Sequence, residues 1–474
     1  MEKVQLTSEK FRLGYHVMAP YGWINDPNGF CYFKGYYHIF YQYYPYSENV
    51  GSPMHWGHAR SKDLIHWETL PIALTPGDPE DKDGCFSGSA IVKDDTLYLI
   101  YTGHHLNDSD DSEDFWENQN IAYSTDGVHF TKYAQNPVIA TPPADNTQHF
   151  RDPKVWQYKD VYYMILGSQS KDGLGRVILY KSKDLEQWSY LGEVDKSQDL
   201  IKEGFMWECP DLFKLNDQHV LLLSPQGIEP DNKRFLNLFQ TGYFVGQFDY
   251  AQHHFNRQSC FRELDNGHDF YAAQTTTTPD GRNVLIGWMN MWENNMLEQE
   301  DGWSGALTLP RTLEIKNNHL YMNPIDTVKN LRLDSGHTLT LENDNTILST
   351  EYRLFEAEVL LDIKAEDNIR LSLLTQTGTN LITLDFSGNK ALFTLYRKDY
   401  DDYRYAQVAP TKELKLRIFV DKSSLEIFIN DGEKCFTERY YYPDKPQLVL
   451  ENTDNQPLSG SAKVYKLKGD AIQF

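Results

Sequence analysis

Disulfide bonds and clustered metal ligands are the first things that this sequence lacks. Its five cysteines lie far apart and form no Cys-x-x-Cys pair: they are Cys31, Cys85, Cys209, Cys260 and Cys435. Scattered cysteines of odd number argue against a disulfide framework and against a zinc site, and they favour reduced thiols. No glycine-rich phosphate loop follows a predicted strand either. We therefore expect neither a metal ion nor an organic cofactor.

Long apolar runs and an excess of positive charge are also missing. No stretch reaches the roughly 18 uninterrupted apolar residues of a membrane span, and residues 1–10 contain no apolar core of a secretion signal. The chain has 45 Lys and Arg against 68 Asp and Glu, which gives a net charge of −23. A field of this sign repels nucleic acid and anionic membrane surfaces. We expect a cytoplasmic protein with neither kind of partner.

The first 300 residues contain a repeated unit. Five times in the first 300 residues a polar cluster is followed, after a connection, by an apolar and aromatic-rich run. The clusters lie at 25–29, 86–89, 151–153, 208–211 and 269–271, and the runs start 61, 65, 58 and 64 residues apart. A period of about 60 residues built from short strands is typical of four-stranded β-propeller blades. The sequence therefore predicts a five-bladed β-propeller.

A second motif recurs with a similar period. The pattern Ser-x-Asp-x-x-x-aromatic starts at residues 61, 124 and 182 and ends in Trp67, Phe130 and Trp188. A Ser/Asp turn that delivers an aromatic ring suits a hairpin between the outer strands of a blade. We interpret these three aromatic residues as structural.

The pattern changes in the last third of the chain. Beyond residue 335 at least seven apolar runs alternate with polar turns, which is typical of a β-sandwich. A chain of 474 residues also exceeds the size of a single hydrophobic core. We expect an all-β protein with a catalytic propeller over residues 1–332, including a short linker at its end, and a sandwich over residues 333–474.

Three acids lie in the opening clusters of the first, third and fourth units: Asp26, Asp152 and Glu208. Because the first strand of each blade lines the central channel, these side chains are expected to face one cavity. Glycoside hydrolysis requires at least one ionised and one protonated carboxyl group in the same site. Asn25 and the tight turn around Asp26 favour an ionised nucleophile, whereas the apolar residues 205–207 favour a protonated general acid at Glu208.

The remaining acids are expected to have roles other than nucleophile or general acid. Arg151 precedes Asp152 and is expected to keep it ionised, which suits the stabilisation of positive charge at an anomeric carbon. Asp269 opens the fifth unit without an adjacent proline or arginine, and we interpret it as a turn residue. The acidic stretch 107–114 lacks the glycine and the final glutamate of a calcium loop, so we expect a solvated loop there rather than a metal site.

These motifs resemble a known family. Residues 16–29, HVMAPYGWINDPNG, occur in order with Arg151-Asp152-Pro153 and Glu208-Cys209-Pro210, as in the invertase-type β-fructofuranosidases of glycoside hydrolase family 32. The first motif is long and specific, the triplets are short, and the implied propeller and sandwich cover the whole chain. Ala19 departs from the usual Pro or Val, which concerns loop stiffness rather than chemistry. The resemblance implies that Asp26 is the nucleophile, Asp152 the transition-state stabiliser and Glu208 the acid/base.

The resemblance also implies a fructose pocket. Its expected members are Asn25, Gln42, Trp56, Phe86, Ser87, Arg151, Tyr271 and Trp288. From the residues alone, Trp288 fits a core position equally well. Residues 224–227 and 237–243 resemble the intracellular bacterial sucrose-6-phosphate hydrolases and sucrases. Between them Lys233 and Arg234 are either contacts for a sugar phosphate or, as we favour, solvated loop cations.

The expected reaction is hydrolysis of terminal β-D-fructofuranosides with retention through a covalent fructosyl-enzyme. The nearest carboxyl oxygens of Asp26 and Glu208 should then lie about 5–5.5 Å apart. Sucrose, sucrose 6-phosphate and short fructo-oligosaccharides all remain candidate substrates, and the chain is expected to be a monomer or a homodimer. The alternatives are a fructosyltransferase that uses the same intermediate, an inverting propeller glycosidase and a non-catalytic carbohydrate-binding propeller.

Overall fold

The computed structural model describes residues 2–107, 111 and 113–474. Antiparallel sheets follow one another along the first two thirds of this part of the chain. Blade one contains β1 (Gly22–Phe33), β2 (Tyr36–Tyr44), β3 (His55–Ser61) and β4 (Trp67–Leu74), and blade two contains β5 (Cys85–Lys93), β6 (Thr96–Leu106), β7 (Phe115–Ser124) and β8 (Thr131–Lys132). Blade three contains β9 (Asn146–Tyr158), β10 (Val161–Ser170), β11 (Gly175–Ser182) and β12 (Ser189–Lys196).

The remaining blades carry short additions. The helix α1 (Leu200–Glu203) precedes blade four, which contains β13 (Met206–Leu215), β14 (Gln218–Gln226), β15 (Gly242–Asp249), β16 (His254–Arg257) and β17 (Arg262–Glu263). Blade five contains β18 (Tyr271–Thr277), β19 (Asn283–Trp288), β21 (Arg311–Lys316) and β22 (His319–Pro324). A 3₁₀ helix at Leu297–Asp301 and the short strand β20 (Trp303–Ser304) lie between β19 and β21.

The innermost strands of the five blades close a ring. Strand β1 contacts β5, β5 contacts β9, β9 contacts β13, β13 contacts β18, and β18 contacts β1. The prediction of a five-bladed propeller is therefore confirmed. Blade one also receives two distant segments, because β20 pairs in parallel with β1, and the last strand, β35 (Ile472–Gln473), pairs in parallel with β4.

The recurring serine and aspartate motif forms the predicted outer hairpins. In blade one Ser61 Oγ accepts the N–H of Leu64 at 2.8 Å, and Asp63 Oδ1 accepts the N–H of His66 at 2.9 Å. Trp67 is buried and donates from Nε1 to the carbonyl oxygen of Leu64. The turns at residues 124–130 and 182–188 repeat the serine and aspartate bonds. The motif thus shapes the blades.

The second region is a sandwich of two six-stranded sheets, which confirms the predicted fold class. A 3₁₀ helix at Asp326–Leu331 leads into it, and another lies at Gly388–Lys390. One sheet has the order β23 (His337–Leu341), β34 (Gly460–Lys466), β25 (Phe355–Asp362), β30 (Glu413–Val420), β31 (Ser424–Ile429) and β32 (Lys434–Arg439). The other has the order β24 (Asn345–Ser349), β33 (Gln447–Asn452), β26 (Asn368–Leu374), β27 (Asn380–Ser387), β28 (Leu392–Arg397) and β29 (Asp402–Gln407). Their inward faces form one aliphatic core.

Buried charges join the propeller to the sandwich. Arg311 on β21 is fully buried, and its guanidinium lies 2.8 Å from Asp265 and 2.7 Å from Glu426 on β31. Asp269 accepts hydrogen bonds from the guanidinium of Arg397 and from the backbone N–H of Arg439. Asp269 therefore bonds to the sandwich, and our interpretation of it as a turn residue was incomplete. No helix in the described part of the chain has the length and apolar character needed to cross a membrane.

Candidate active site

A break in strand pairing shapes the inner strand of every blade, and in β5 it lies between Phe86 and Gly88. Two residues stand opposite a single partner at 25–26 in β1, 152–153 in β9, 209–210 in β13 and 272–273 in β18. Asp152, Cys209 and Ala272 occupy these bulges with φ values of +62°, +47° and +53°. Such bulges bend a strand and re-aim its side chains, and they are also where a strand tolerates proline. The Asp-Pro and Cys-Pro pairs of the sequence are therefore bulges.

Asp26 lies in the bulge of β1 and accepts hydrogen bonds from its neighbours. Ser87 Oγ donates to Oδ2 at 2.7 Å, Asn25 Nδ2 donates to Oδ1 at 3.0 Å, and the Cys209 thiol lies 3.7 Å from Oδ2. Burial and the charge of Glu208 raise the pKa of Asp26, while these three donors oppose the rise. The donors orient the carboxylate of Asp26, as the sequence predicted. Burial and the nearby charge of Glu208 make its ionised form less favourable than the sequence suggested.

Asp152 lies in the bulge of β9, and its surroundings differ from the prediction. Its Oδ2 accepts the backbone N–H of Cys209 at 2.9 Å, and its own N–H donates to Thr102 Oγ1 at 3.1 Å. Burial, and then the charge of Glu208, raise the pKa of Asp152 well above its ordinary value, although Arg151 lowers it. The expectation that Arg151 holds Asp152 ionised was wrong, because the guanidinium bonds elsewhere.

Glu208 on β13 receives the guanidinium instead. Arg151 Nε and Nη2 both donate to Oε1 of Glu208, at 3.0 Å and 2.7 Å, and the hydroxyl of Tyr271 donates to Oε2. The preceding Met206 and Trp207 are buried in the blade. Of the apolar residues 205–207, only Phe205 lines the cavity with Glu208, and polar partners from the adjacent blades bond to the carboxyl group.

All three acids border one open cavity of about 680 Å³. Five of the eight predicted pocket residues also line it: Asn25, Gln42, Phe86, Ser87 and Arg151. Gln42 donates from Nε2 to the carbonyl oxygen of Cys85 at 2.9 Å, which ties blade one to blade two beneath the cavity. A volume of this size suits a ligand of one to three sugar rings.

The other three predicted pocket residues lie behind the cavity wall. Trp56 is fully buried and donates from Nε1 to the carbonyl oxygen of Phe86 at 3.0 Å. Tyr271 is also buried and reaches the site only through its bond to Glu208. Trp288 is fully buried against Trp23. None of the three side chains is among the residues that line the cavity, so their direct contact with substrate stays a prediction.

Several lining residues carried no signal in the sequence. Glu117 on β7 is buried, accepts the N–H of Phe150 at 2.8 Å and lies 3.6 Å from Arg151 Nη1. Burial opposes its ionisation, but Arg151 and His104 outweigh burial and lower the pKa of Glu117. His149 Nδ1 lies 2.9 Å from the same guanidinium nitrogen. Arg151 of blade three is thus held between Glu117 of blade two and Glu208 of blade four.

Five aromatic residues contribute to the lining: they are Phe86, Phe115, Phe205, Phe239 and Trp292. Phe86 stacks on His104 with ring centres 4.0 Å apart. Trp292 stacks on Trp23, whose Nε1 donates to Asn25 Oδ1 at 2.8 Å. Rings of this kind present flat apolar faces to a sugar, while the acids below supply the polar contacts.

The sequence also raised a phosphate contact at Lys233 and Arg234 and a metal site in the acidic stretch 107–114. Lys233 and Arg234 line a separate cavity. Neither residue lines the cavity that holds the three acids. Within the described residues no group of three or more His, Cys, Asp or Glu side chains could hold a metal ion. Asp108 and Asp110 of the acidic stretch lie outside the described residues, so the absence of calcium there stays a prediction.

A propeller with three carboxyl groups in one sugar-sized cavity defines a glycoside hydrolase. Residues 16–324 match the glycosyl hydrolases family 32 N-terminal domain, and residues 327–466 match the glycosyl hydrolases family 32 C terminal domain. The chain belongs to glycosyl hydrolase family 32.

Individual relatives agree with this membership. A sucrose-6-phosphate hydrolase of Zymomonas mobilis is 40% identical over 465 residues, which are 94% of this chain and 89% of the relative. A raffinose invertase of Escherichia coli is 39% identical, with 97% and 92% covered. A solved β-fructofuranosidase of Bombyx mori superimposes with a TM-score of 0.88 at 40% identity, covering 98% of this chain and 96% of the other.

Proposed function

We propose that this protein hydrolyses terminal β-D-fructofuranosyl bonds with retention, with sucrose as its main substrate. In the first step Glu208 gives its proton to the leaving oxygen, and a carboxylate oxygen of Asp26 forms a bond to the anomeric carbon as that oxygen departs. In the second step Glu208 takes a proton from water, whose oxygen displaces Asp26 and releases fructose. Asp152 lies close enough to both acids to feel their charge, and in its ionised form it would stabilise the positive charge that develops on the sugar.

The observation that carries this proposal is the different bonding of the two carboxyl groups in one cavity. Asp26 accepts three donors that favour its ionised form, while Arg151 and Tyr271 fix the direction of Glu208. Burial and repulsion by Glu208 raise the pKa of Asp26 and Asp152, so these two acids retain protons more readily than isolated acids do. The retaining mechanism needs one proton within this set of acids, and Glu208 is the residue proposed to deliver it to the leaving group.

The choice of a neutral substrate rests on the charges of the cavity. Arg151 is the single guanidinium among its described lining residues, no lysine lines it, and Arg151 already faces Glu208 and Glu117. Burial and Arg151 lower the pKa of His149 to about 4, so this ring is neutral near pH 7. The sequence of residues 107–114 likewise contains no cation. A phosphate on the substrate would therefore meet carboxylates without an unpaired cation to offset them.

The test is a comparison of sucrose, sucrose 6-phosphate and short fructans by kcat/KM with product analysis. We expect kcat/KM for sucrose to exceed that for sucrose 6-phosphate by about tenfold or more, which corresponds to about 1.4 kcal/mol. Added methanol should yield methyl β-D-fructofuranoside, because the acceptor attacks the same face that water attacks. A faster reaction with the phosphate would reject the neutral preference, and an α-linked methyl product would reject retention. Dominant fructan products would show a fructosyltransferase.

A further inference from the structure

A second large cavity lies between blade four and the sandwich. Its volume is about 640 Å³, and it shares no lining residue with the acid-bearing cavity. Its walls come from residues 231–234 and 260–266 of the propeller side and from residues 405–409 and 433–434 of the sandwich side. A cleft of this size suits a small ligand that would contact both parts of the chain at once.

Four cations line this cleft: Lys233, Arg234, Arg262 and Lys434. Among the described residues, none of the four has a carboxylate oxygen within 4.0 Å of its charged nitrogens. Arg234 Nη2 donates to the carbonyl oxygen of Phe261 at 3.2 Å, and Arg262 Nη1 donates to the carbonyl oxygen of Asn318. In a chain with a net charge of −23, this lining brings together four cations that form no ion pair.

Three carboxylates share the lining but are occupied by the backbone or by local bonds. Glu263 Oε1 accepts the N–H of Phe235 at 2.6 Å, and Glu433 Oε1 accepts the N–H of Ala409 at 2.7 Å. Asp231 Oδ1 accepts from its neighbour Asn232 at 2.9 Å. Burial raises the pKa of Glu263, which weakens its hold on charge. These acids therefore moderate the positive field of the cleft without neutralising any one cation.

The same field acts on two titratable groups in the lining. Burial, and then the charges of Arg262 and Lys434, lower the pKa of His319. Burial lowers the pKa of Lys434, and Arg262 lowers it further, while Glu263 and Glu433 oppose the change. Repulsion between cations costs free energy that a bound anion would remove.

We propose that this cleft is a binding site for a small phosphorylated anion. Lys233 and Arg234 come from the loop between β14 and β15, Arg262 from β17, and Lys434 from β32. Guanidinium and ammonium groups from these three elements supply the charge-assisted donors that a phosphate oxygen accepts. Since the donors come from both parts of the chain, the bound anion would hold the propeller and the sandwich together at this cleft.

The test is calorimetric titration of the full chain with inorganic phosphate, glucose 6-phosphate and glucose at low ionic strength. We expect both phosphates to bind and glucose not to bind; tighter binding of glucose 6-phosphate would assign the ligand as a sugar phosphate rather than free phosphate. Lys233→Gln and Lys434→Gln should each weaken phosphate binding about tenfold, as expected for the loss of one charge-assisted contact. Lys183→Gln, in an exposed hairpin of blade three, is the matched control and should bind as the wild type does.

Two results of the titrations would overturn this site, and a third would come from inhibition of sucrose hydrolysis. One is the absence of phosphate binding at millimolar concentration in the wild type. The other is binding that survives both cleft variants or falls equally in the Lys183→Gln control. Thermal unfolding of each variant without phosphate separates loss of the site from loss of the fold. Phosphate that binds in the acid-bearing cavity instead would inhibit sucrose hydrolysis competitively and would be insensitive to the cleft variants, which would also reject the proposal.

Discussion

Arg151 reaches from blade three to blade four and donates two hydrogen bonds to a single oxygen of Glu208, at 3.0 Å and 2.7 Å. Its own neighbour in the sequence, Asp152, turns away through a bulge with φ of +62° and accepts the N–H of Cys209 instead. The guanidinium therefore orients the residue assigned as acid/base. The second oxygen of Glu208 is left to the hydroxyl of Tyr271.

Replacement of either reacting carboxyl group should remove turnover and keep the fold. Asp26→Asn removes the oxygen nucleophile, so hydrolysis of sucrose should fall to background. Glu208→Gln removes the transferable proton, and kcat should fall by about 10²–10⁴-fold. The measurements are initial rates on sucrose together with thermal unfolding of each variant. Wild-type-like rates in either variant would reject its assigned role.

Asp269→Asn is the informative contrast, because Asp269 also opens a propeller unit but bonds to Arg397 of the sandwich. Arg397 and Asp269 are both about 1% exposed, and loss of one partner in a buried ion pair costs about 3–5 kcal/mol. We expect a lower free energy of unfolding with kcat per folded molecule unchanged. A loss of kcat without a loss of stability would place Asp269 in the chemistry instead.

The repeat and the alternation of strands were sufficient to predict the fold and the convergence of three acids, because strand period and blade period are local properties of the sequence. The partners of those acids were not predictable in the same way. Glu117 and His149 meet Arg151 only after blades two and three are packed together, and no motif surrounds them. The same limit applied to Asp269, whose partner lies 128 residues further along the chain.

The direction of side chains was a second limit. The short motif around Trp56 marks an ordered strand, yet it does not say that the indole points behind the cavity toward Phe86. Likewise, residues 205–207 are apolar neighbours of Glu208 in the sequence, but Met206 and Trp207 are buried in blade four and only Phe205 lines the cavity. The hydrogen bonds to its carboxyl group come from Arg151 and Tyr271 of the adjacent blades, which the neighbours in the sequence do not indicate.

Ser87→Ala should move the acid limb of the pH profile to higher pH. Burial and Glu208 raise the pKa of Asp26, and the hydrogen bond from Ser87 opposes that rise. Without the bond the pKa of Asp26 rises further, and activity that needs its ionised form is lost at a higher pH on acidification. We expect a shift of about one pH unit in kcat/KM, since a hydrogen bond to a charged group contributes about 1.5–3 kcal/mol.

The control for this shift is Ser89→Ala on the same strand. Ser89 Oγ accepts the N–H of Val155 at 3.0 Å and does not touch the acids. Its replacement should lower stability and leave the acid limb in place. An equal shift in both variants would mean that the limb reports general loosening of β5 rather than the carboxyl group of Asp26.

Exhaustive treatment with EDTA should leave kcat on sucrose unchanged. The proposed steps require only a proton donor and a nucleophile, which Glu208 and Asp26 supply. The measurement is kcat before chelation, after chelation and dialysis, and again after Ca²⁺ has been added back. Activity that is lost to EDTA and restored by Ca²⁺ would show that the acidic stretch 107–114 binds metal.

The last prediction concerns stability at alkaline pH. His16 is buried between Asp421 and Glu426, with both ring nitrogens 2.8 Å from a carboxylate oxygen. Burial lowers its pKa, but the bonds to the two carboxylates outweigh burial and raise the pKa of His16 above 6.5. The folded state therefore holds this proton more tightly than the unfolded state does. The resulting stability is fully present below about pH 6.5 and is lost as the pH rises through the raised value.

We expect the free energy of unfolding to decrease between pH 6.5 and pH 9, measured by guanidinium denaturation, and the decrease to be smaller in His16→Gln. A part of it should remain, because burial lowers the pKa of His268, but Glu438 and Asp402 outweigh burial and raise that pKa above its ordinary value. His129→Gln is the matched control, since His129 pairs with Asp126 in an exposed turn and such pairs contribute little. If His16→Gln and wild type lose stability equally over this range, the buried histidine does not carry a proton that links the propeller to the sandwich.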